Sequence, residues 1–523
     1  MVESAQKDFT KRVKSIALSP VSGVALFVLI SCLALNTKFD FVDDAYYIVL
    51  AKSLAGGFGF SDIHLPEPHF HRHFPPGLPL ILSLPMLLGL DPSTSVVIYK
   101  LVLIACGAVG LYCFAHFALA EGYSRQLVSS AMLLASVSII FVGFTTRVGS
   151  EMLYVLFSAL ALLALNKYEQ SSLKSRWLAL SALFLVASVL TRSIGLVMLG
   201  AAVLSWILKR DFRRAALLVI ASVVLWSPWF MLSKTGGSGV GSYYHEFLTS
   251  FHPGAFFELG KRAVEDGWLL LNRDIPRAIL SIGSSEFVES RPWLDALVLP
   301  LRLGISTIVI LSILRGIRQT PRIASLYVAG SLFLVMIWPW DPSRYIVPLI
   351  PLLCLSFVAG LQTVFERLPA KHPKSLSFQP KLIAGVVATC IASQLISDAR
   401  FVLTIRRTGH YNAAAASIWN EITAAYEWIN QNTAQSSIVG CEPAIDPSVY
   451  LFTGRKSLAL PSRPEAYKRL GVTHILHVTS PTMYKGDEVK RRPDLQEFLD
   501  RTGGKVPLTL VYRSANVSVF QVN

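Results

Sequence analysis

Apolar residues fall in long runs separated by short polar stretches. The runs cover 18–36, 77–90, 97–119, 125–143, 151–167, 177–191, 193–208, 215–233, 293–314, 323–340, 345–365 and 381–398. At about 1.5 Å per helical residue, the longer runs approach the ~30 Å of a hydrocarbon core. Unbroken runs predict helices, whereas a membrane β-barrel alternates in segments of about ten residues. After residue 398 the pattern changes. Residues 411–431 have the spacing of an amphipathic helix. Short apolar runs at 437–440, 473–478 and 508–512 predict strands, alternating with helical stretches near 464–470 and 490–502. The pattern predicts an all-α polytopic membrane protein over 1–400, followed by a small α/β domain over 401–523.

Basic residues orient the runs. Lys7, Lys11, Arg12 and Lys14 precede the first. Lys174 and Arg176 fill one gap, and Lys209, Arg210, Arg213 and Arg214 another. Arg315, Arg318 and Arg322 fill a third, and Arg367, Lys371, Lys374 and Lys381 a fourth. All belong on the cytoplasmic side. The parity works only if one run of the front half fails to cross or one further crossing is hidden. Run 77–90 is short and carries Pro76, Pro79 and Pro85 at its start or within it. It reads as an interfacial or re-entrant element on the outer face. About eleven crossings remain, with the N-terminus inside and the C-terminus outside. The outer loops 37–96 and 234–291 and the tail domain are then extracytoplasmic.

Composition agrees. Of the 523 residues, 53% are hydrophobic and 15% charged, with a mean hydropathy of +0.51; soluble domains carry roughly 25% charged residues. The net charge of +15 is what cytoplasmic loops accumulate, and no aromatic-basic motif accompanies it, so nucleic acid is not an expected partner. Cys32, Cys106, Cys113, Cys354 and Cys390 lie in apolar segments and Cys441 in the tail, which implies neither a disulfide framework nor a cysteine metal motif. The first run ends without a small-residue cleavage pattern and reads as an uncleaved helix.

The chemistry lies at the outer ends of the runs. Asp43 and Asp44 follow the first run at the water boundary. A carboxylate there can take a proton from a hydroxyl or amine, ligate a divalent cation, or simply charge a helix N-terminus. Asp43 is the candidate for catalysis and Asp44 for its support. The same face holds Arg72, His73, Arg147, Glu151, Arg192, Arg344 and Tyr345, with Lys100 near the outer end of its helix. Ionisable groups at such depth are functional candidates by default. Guanidiniums match phosphate oxygens; snorkelling, or pairing with Glu151 or Asp341, is the alternative. Trp338, Trp340 and Tyr345 surround Arg344 and suit a sugar face as well as a membrane belt. Lys100 is a candidate lipid-phosphate contact. Arg72, beside Phe74-Pro75-Pro76-Gly77, is a candidate phosphate or sugar contact. His69, His71 and His73 alternate, and Asp43, His71 and His73 form the candidate set for a divalent metal, although no metal is required. The Gly-rich run 235–245 reads as the hinge of a mobile cover.

Several of these stretches together resemble the GT-C glycosyltransferases, in the branch similar to protein O-mannosyltransferases and aminoarabinose transferases. The resemblance rests on Asp43-Asp44-Ala45-Tyr46-Tyr47, Phe74-Pro75-Pro76-Gly77-Leu78-Pro79-Leu80, Ser150-Glu151, Leu190-Thr191-Arg192-Ser193-Ile194-Gly195, Trp226-Ser227-Pro228-Trp229 and Arg344-Tyr345-Ile346-Val347-Pro348-Leu349-Ile350-Pro351. Many relatives have Asp-Glu where this chain has Asp43-Asp44. The resemblance implies a polyprenyl-phosphate sugar donor and a lipid, glycan or protein acceptor. It further implies inverting transfer at the extracytoplasmic face of a plasma membrane, such as the inner membrane of a bacterium. Asp43 would take the acceptor proton, and Arg344, with Arg192 or Arg72, would hold the lipid phosphate. The main rival is a transporter or flippase of a lipid-linked or anionic substrate, whose ionisable groups should sit near mid-membrane on repeated, broken helices. A lipid-phosphate phosphatase or a non-sugar group transferase is a second rival.

Overall fold

The computed structural model describes residues 19–39, 43–92, 95–170, 174–235, 256–281, 291–319, 322–338, 342–367, 373–410, 413–441, 445–460, 466–479 and 507–523. The basic N-terminus, most of the Gly-rich run, Trp340, Asp341 and the helical stretch expected over 490–502 lie outside these residues.

Every apolar run contains a helix. The first are α1 (Pro20–Leu33), α2 (Asp43–Ala55), α3 (Gly77–Leu87), α4 (Val96–Ala120), α5 (Arg125–Ser136) and α6 (Ile139–Gly143). Then follow α7 (Glu151–Gln170), α8 (Lys174–Thr191), α9 (Gly195–Leu208), α10 (Phe212–Thr235), α11 (Phe256–Leu269) and α12 (Ile275–Ile279). The last of the apolar part are α13 (Pro292–Gln319), α14 (Ile323–Met336), α15 (Ile350–Arg367) and α16 (Pro373–Thr408).

Among the described residues, six segments are long and apolar enough to cross a membrane: Val96–Ala120, Glu151–Gln170, Phe212–Ser233, Pro292–Gln319, Pro342–Arg367 and Gln379–Thr408. A bent pair, Arg125–Ser136 with Ile139–Thr146 at 49°, makes a seventh. The other apolar helices are shorter. Helix α3 has 11 residues, a rise of about 16 Å. It buries Leu78 and Leu82 and exposes Leu80, Leu84 and Leu87. Helix α7 packs between α4 and α8 and forms the centre of the bundle. Helix α10 is apolar on all sides and leaves Ile220, Val224 and Met231 exposed, as a lipid-facing helix does.

The break between α5 and α6 has a specific partner. Gln394 of α16 is fully buried. Its Oε1 accepts the Ile139 N–H at 3.0 Å, and its Nε2 donates to the Arg277 carbonyl at 2.8 Å. The amide thus satisfies a backbone donor that the interrupted helix leaves free.

Helix α16 carries the chain past residue 400 without interruption into the polar tail. There α17 (Ala413–Asn432), α18 (Asp446–Thr453) and α19 (Ala466–Arg469) pack with five strands: β1 (Ile438–Cys441), β2 (Lys456–Ala459), β3 (His474–Val478), β4 (Leu508–Arg513) and β5 (Val517–Val522). The sheet order is β2-β1-β3-β5-β4; β1 runs parallel to β2 and β3, and β5 antiparallel to β3 and β4. The free edge at β2 is covered by the loop between α2 and α3. Ser457 N–H donates to the His64 carbonyl at 2.9 Å, and Lys456 Nζ to the Ile63 carbonyl at 2.6 Å. Such cover removes an unpaired strand edge. It also fixes the loop that begins at Asp43.

Candidate active site

The site forms where α2, the first turn of α7, the end of α8 and the segment before α15 meet. Asp43 and Asp44 open α2, where the helix dipole favours acids. The two diverge. Asp44 turns inward, is buried, and its Oδ2 accepts the Val148 N–H at 2.8 Å. This ties α2 to the turn that leads into α7. Asp43 stays partly exposed and pairs with Arg344 Nη1.

Glu151, the first residue of α7, is the electrostatic hub. Its side chain is 1% exposed. Its Oε1 accepts from Arg344 Nε and from Arg192 Nη1, the latter at 2.5 Å. The sequence leaves room for this carboxylate, since a Cβ on Gly149 would overlap it. Arg192 Nη1 also donates to Ser150 Oγ at 3.2 Å, and its guanidinium lies 5.1 Å from the Tyr345 ring centroid. Trp338 Nε1 donates to the Tyr345 hydroxyl at 2.9 Å. The Tyr47 hydroxyl donates to Ser150 Oγ at 3.2 Å. Burial pushes the Tyr47 phenol up to about 12, so it stays protonated as a donor. Further along α7, the Tyr154 and Tyr327 hydroxyls meet at 3.0 Å.

Asp43, Glu151, Arg192, Arg344 and Tyr345 thus come together, with Asp44 as an anchor behind them. Buried guanidiniums and carboxylates in one network cost desolvation, which their mutual pairing offsets. The Arg344 side chain keeps 32% of its surface open. It can therefore exchange an internal carboxylate for an incoming anion without leaving its place.

The histidine-rich segment packs against α2. The Phe74 ring lies 4.9 Å from that of Tyr47, and the His71 ring 6.1 Å from that of Tyr46. His71 uses both nitrogens, with Nδ1 on Asp62 Oδ1 at 2.8 Å and Nε2 accepting the Phe74 N–H at 2.9 Å. That pattern assigns the neutral tautomer. Gly77 lets the Pro-Pro-Gly turn pass against α8, because a Cβ there would sit 2.7 Å from the Leu190 carbonyl oxygen. Arg72 lies in this segment with its Nε and Nη2 buried and unpartnered, and these donors can serve a bound anion.

Other candidates go elsewhere. Arg147 lies over the Phe144 ring at 5.4 Å. Lys100 is fully buried and donates to the Asn36 carbonyl at 3.2 Å, to Asn36 Oδ1 at 2.6 Å and to the Lys38 carbonyl at 2.6 Å. His73 packs edge-on against Phe74 at 4.7 Å. Among the described residues, no three His, Cys, Asp or Glu side chains are placed to hold a metal. Asp43, His71 and His73 are not gathered into one group. Ser150, Tyr47 and Asp62 complete the site and its loop without having stood out as site residues in the sequence; Ser150 was marked only by its place beside Glu151.

The chain is thus a helical, largely apolar bundle with an acid-arginine cluster at one end beneath a loop docked on a small sheet. No family model and no curated protein sequence matches the chain. Solved structures do. ArnT from Cupriavidus metallidurans bound to undecaprenyl phosphate is 14% identical, with a TM-score of 0.53 over 96% of this chain and 97% of that one. The Archaeoglobus fulgidus oligosaccharyltransferase tethered with an acceptor peptide is 10% identical, with a TM-score of 0.58 over 96% and 74%. The oligosaccharyltransferase AglB of the same organism, in complex with an inhibitory peptide and a dolichol-phosphate, is 12% identical, with a TM-score of 0.52 over 88% and 69%. At these identities the likeness is one of fold.

Proposed function

We propose that the chain is an integral-membrane glycosyltransferase. It moves a sugar from a polyprenyl-phosphate donor to a lipid, glycan or protein acceptor at the extracytoplasmic face, with inversion. The observation that carries this reading is Arg344, which holds Asp43 and Glu151 at once on a partly open side chain. The bound molecules named for the similar structures, undecaprenyl phosphate and dolichol-phosphate, are of the class such a cluster suits. The long spans, the bent pair and the shorter apolar helices other than α3 make about eleven crossings, with the N-terminus inside. Helix α3 lies on the outer face, and residues 401–523 form an outer domain.

In this mechanism the donor phosphate takes up guanidinium N–H groups of Arg344, with Arg72 as a second donor. Arg344 then releases Asp43, while Glu151 keeps Arg344 and Arg192 in position. The bond from the anomeric carbon to the phosphate oxygen breaks, and its electron pair stays on the phosphate, whose charge the guanidiniums stabilise. The acceptor oxygen or nitrogen bonds to the anomeric carbon from the opposite face and gives its proton to Asp43. The guanidinium already on Asp43 favours its role as a base over that of a cation ligand.

A transport reading is separable. Purified protein given a radiolabelled polyprenyl-phosphate sugar should release labelled sugar onto an acceptor extract. Movement of intact donor across vesicles with no transfer would exclude the enzyme.

A further inference from the structure

Helix α7 joins two polar sites. From Glu151 to Glu169 it rises about 27 Å, so the second site sits a membrane thickness away from the first. There the chain encloses a cavity of about 190 Å³ whose polar lining is Glu121, Asn166, Glu169, Lys209 and Arg322. These residues come from the ends of α4, α7, α9 and α14, and none takes part in the cluster around Arg344.

The lining is organised. Asn166 is 5% exposed, and its Nδ2 donates to Glu121 Oε1 at 2.6 Å. A carboxylate only accepts, so this contact fixes the amide orientation. Asn166 Oδ1 is left buried with no partner. Glu169 Oε1 accepts from Trp206 Nε1 at 2.7 Å and Lys209 Nζ at 3.1 Å. Arg322 approaches Glu121 Oε2 at 3.8 Å and donates to the Tyr123 hydroxyl at 2.6 Å. The acids are the more enclosed, at 19% and 26% side-chain exposure, and the cations lie nearer the rim, at 34% and 36%.

Two carboxylates are balanced by two cations, which suits a ligand carrying both signs. The unpaired Asn166 oxygen and the acids call for an N–H donor inside; the rim cations call for an anion outside. A primary ammonium joined to a phosphate by a short linker meets both demands. A trimethylammonium has no N–H to give. Phe117 and Leu162 supply apolar wall for the linker. The mouth opens at the ends of membrane-spanning helices, where lipid headgroups lie.

We infer that this cavity binds the phosphoethanolamine headgroup of a lipid in the leaflet opposite the Arg344 cluster, with its ammonium on Asn166 and Glu121 and its phosphate between Lys209 and Arg322. The inference does not depend on the transferase reading.

Native mass spectrometry of the full chain tests it, with phosphatidylethanolamine, phosphatidylcholine and phosphatidylglycerol of identical acyl chains as probes. One charge-assisted hydrogen bond to a buried acceptor corresponds to a preference for phosphatidylethanolamine of about tenfold. Asn166→Leu should abolish the preference over phosphatidylcholine. Lys209→Gln, at the rim, should weaken phosphatidylethanolamine retention several-fold with the thermal transition unchanged. Equal retention of the three lipids, or preference for phosphatidylglycerol, would overturn the assignment. So would binding of soluble phosphoethanolamine without retention of the lipid.

Discussion

Lys100 and Arg344 are both cations near one end of the bundle, and burial separates their roles. Lys100 is enclosed by the Asn36 and Lys38 carbonyls and the Asn36 amide. It staples the exit of α1 to α4. Lys100→Met keeps the stem but leaves those acceptors unpaired, at a cost of about 3 kcal/mol. Thermal unfolding in detergent should show a lowered midpoint with donor affinity retained; an unchanged midpoint with lost donor affinity would place Lys100 at the phosphate. The same sequence signal, an ionisable side chain at the end of an apolar run, marked both residues. It could not say which carbonyls lie across from Lys100. Asp43 and Arg344 were legible because few environments accept such groups at that depth. Their pairing across 301 residues was not, because only the packing of α2 against the segment before α15 sets it. Gln394 stands inside the apolar run 381–398, but its task at the α5–α6 break is set by packing and is not legible there.

At the scale of elements, the segment between α2 and α3 is a folded connector. His71 and Asp62 hold it together, Phe60 and Phe70 pack on Trp229 at 5.3 and 5.9 Å, and His64 meets Asp446 of α18 at 3.1 Å. Burial lowers the proton affinity of His71 below that of an unfolded histidine, against the pull of Asp62. The unfolded chain therefore binds the proton first as pH falls through about 6.5. The folded loop has its full stability above that pH and loses it below. For Asp62, burial opposes ionisation but the His71 hydrogen bond and nearby histidines outweigh it, and the carboxyl is held below its ordinary range. Its contribution is present above about pH 4 and fades as pH falls further. The hydrogen-exchange protection factors of amides 60–74, taken relative to intrinsic exchange at each pH, should fall between about pH 7 and 5, and His71→Asn should flatten that dependence. Protection factors that stay constant over this interval would remove His71 from the loop's stability. The alternating histidines suggested a metal because the acid that engages His71, Asp62, lies nine residues before it and has no periodic relation to the group.

At the scale of the molecule, the twelve apolar runs and the α/β tail were plain in the hydropathy pattern, since helix and strand periods differ. What the pattern lacked was the docking of the tail on the loop between α2 and α3 through β2, which depends on backbone pairing and not on residue type. That docking brings α18 against α2, α3 packs beside it and Asp44 ties it to Val148, so Asp43 faces Arg344 on a rigid frame. The central claim is that Arg344 holds the donor phosphate while Asp43 takes the acceptor proton. Its most direct test measures donor binding and single-turnover transfer separately in Asp43→Asn and Arg344→Ala. The account predicts that Asp43→Asn binds the polyprenyl-phosphate sugar within a few-fold of the unaltered protein and loses transfer by at least about 100-fold, whereas Arg344→Ala loses donor binding as well. Full transfer by Asp43→Asn, or undiminished donor binding by Arg344→Ala, would contradict it.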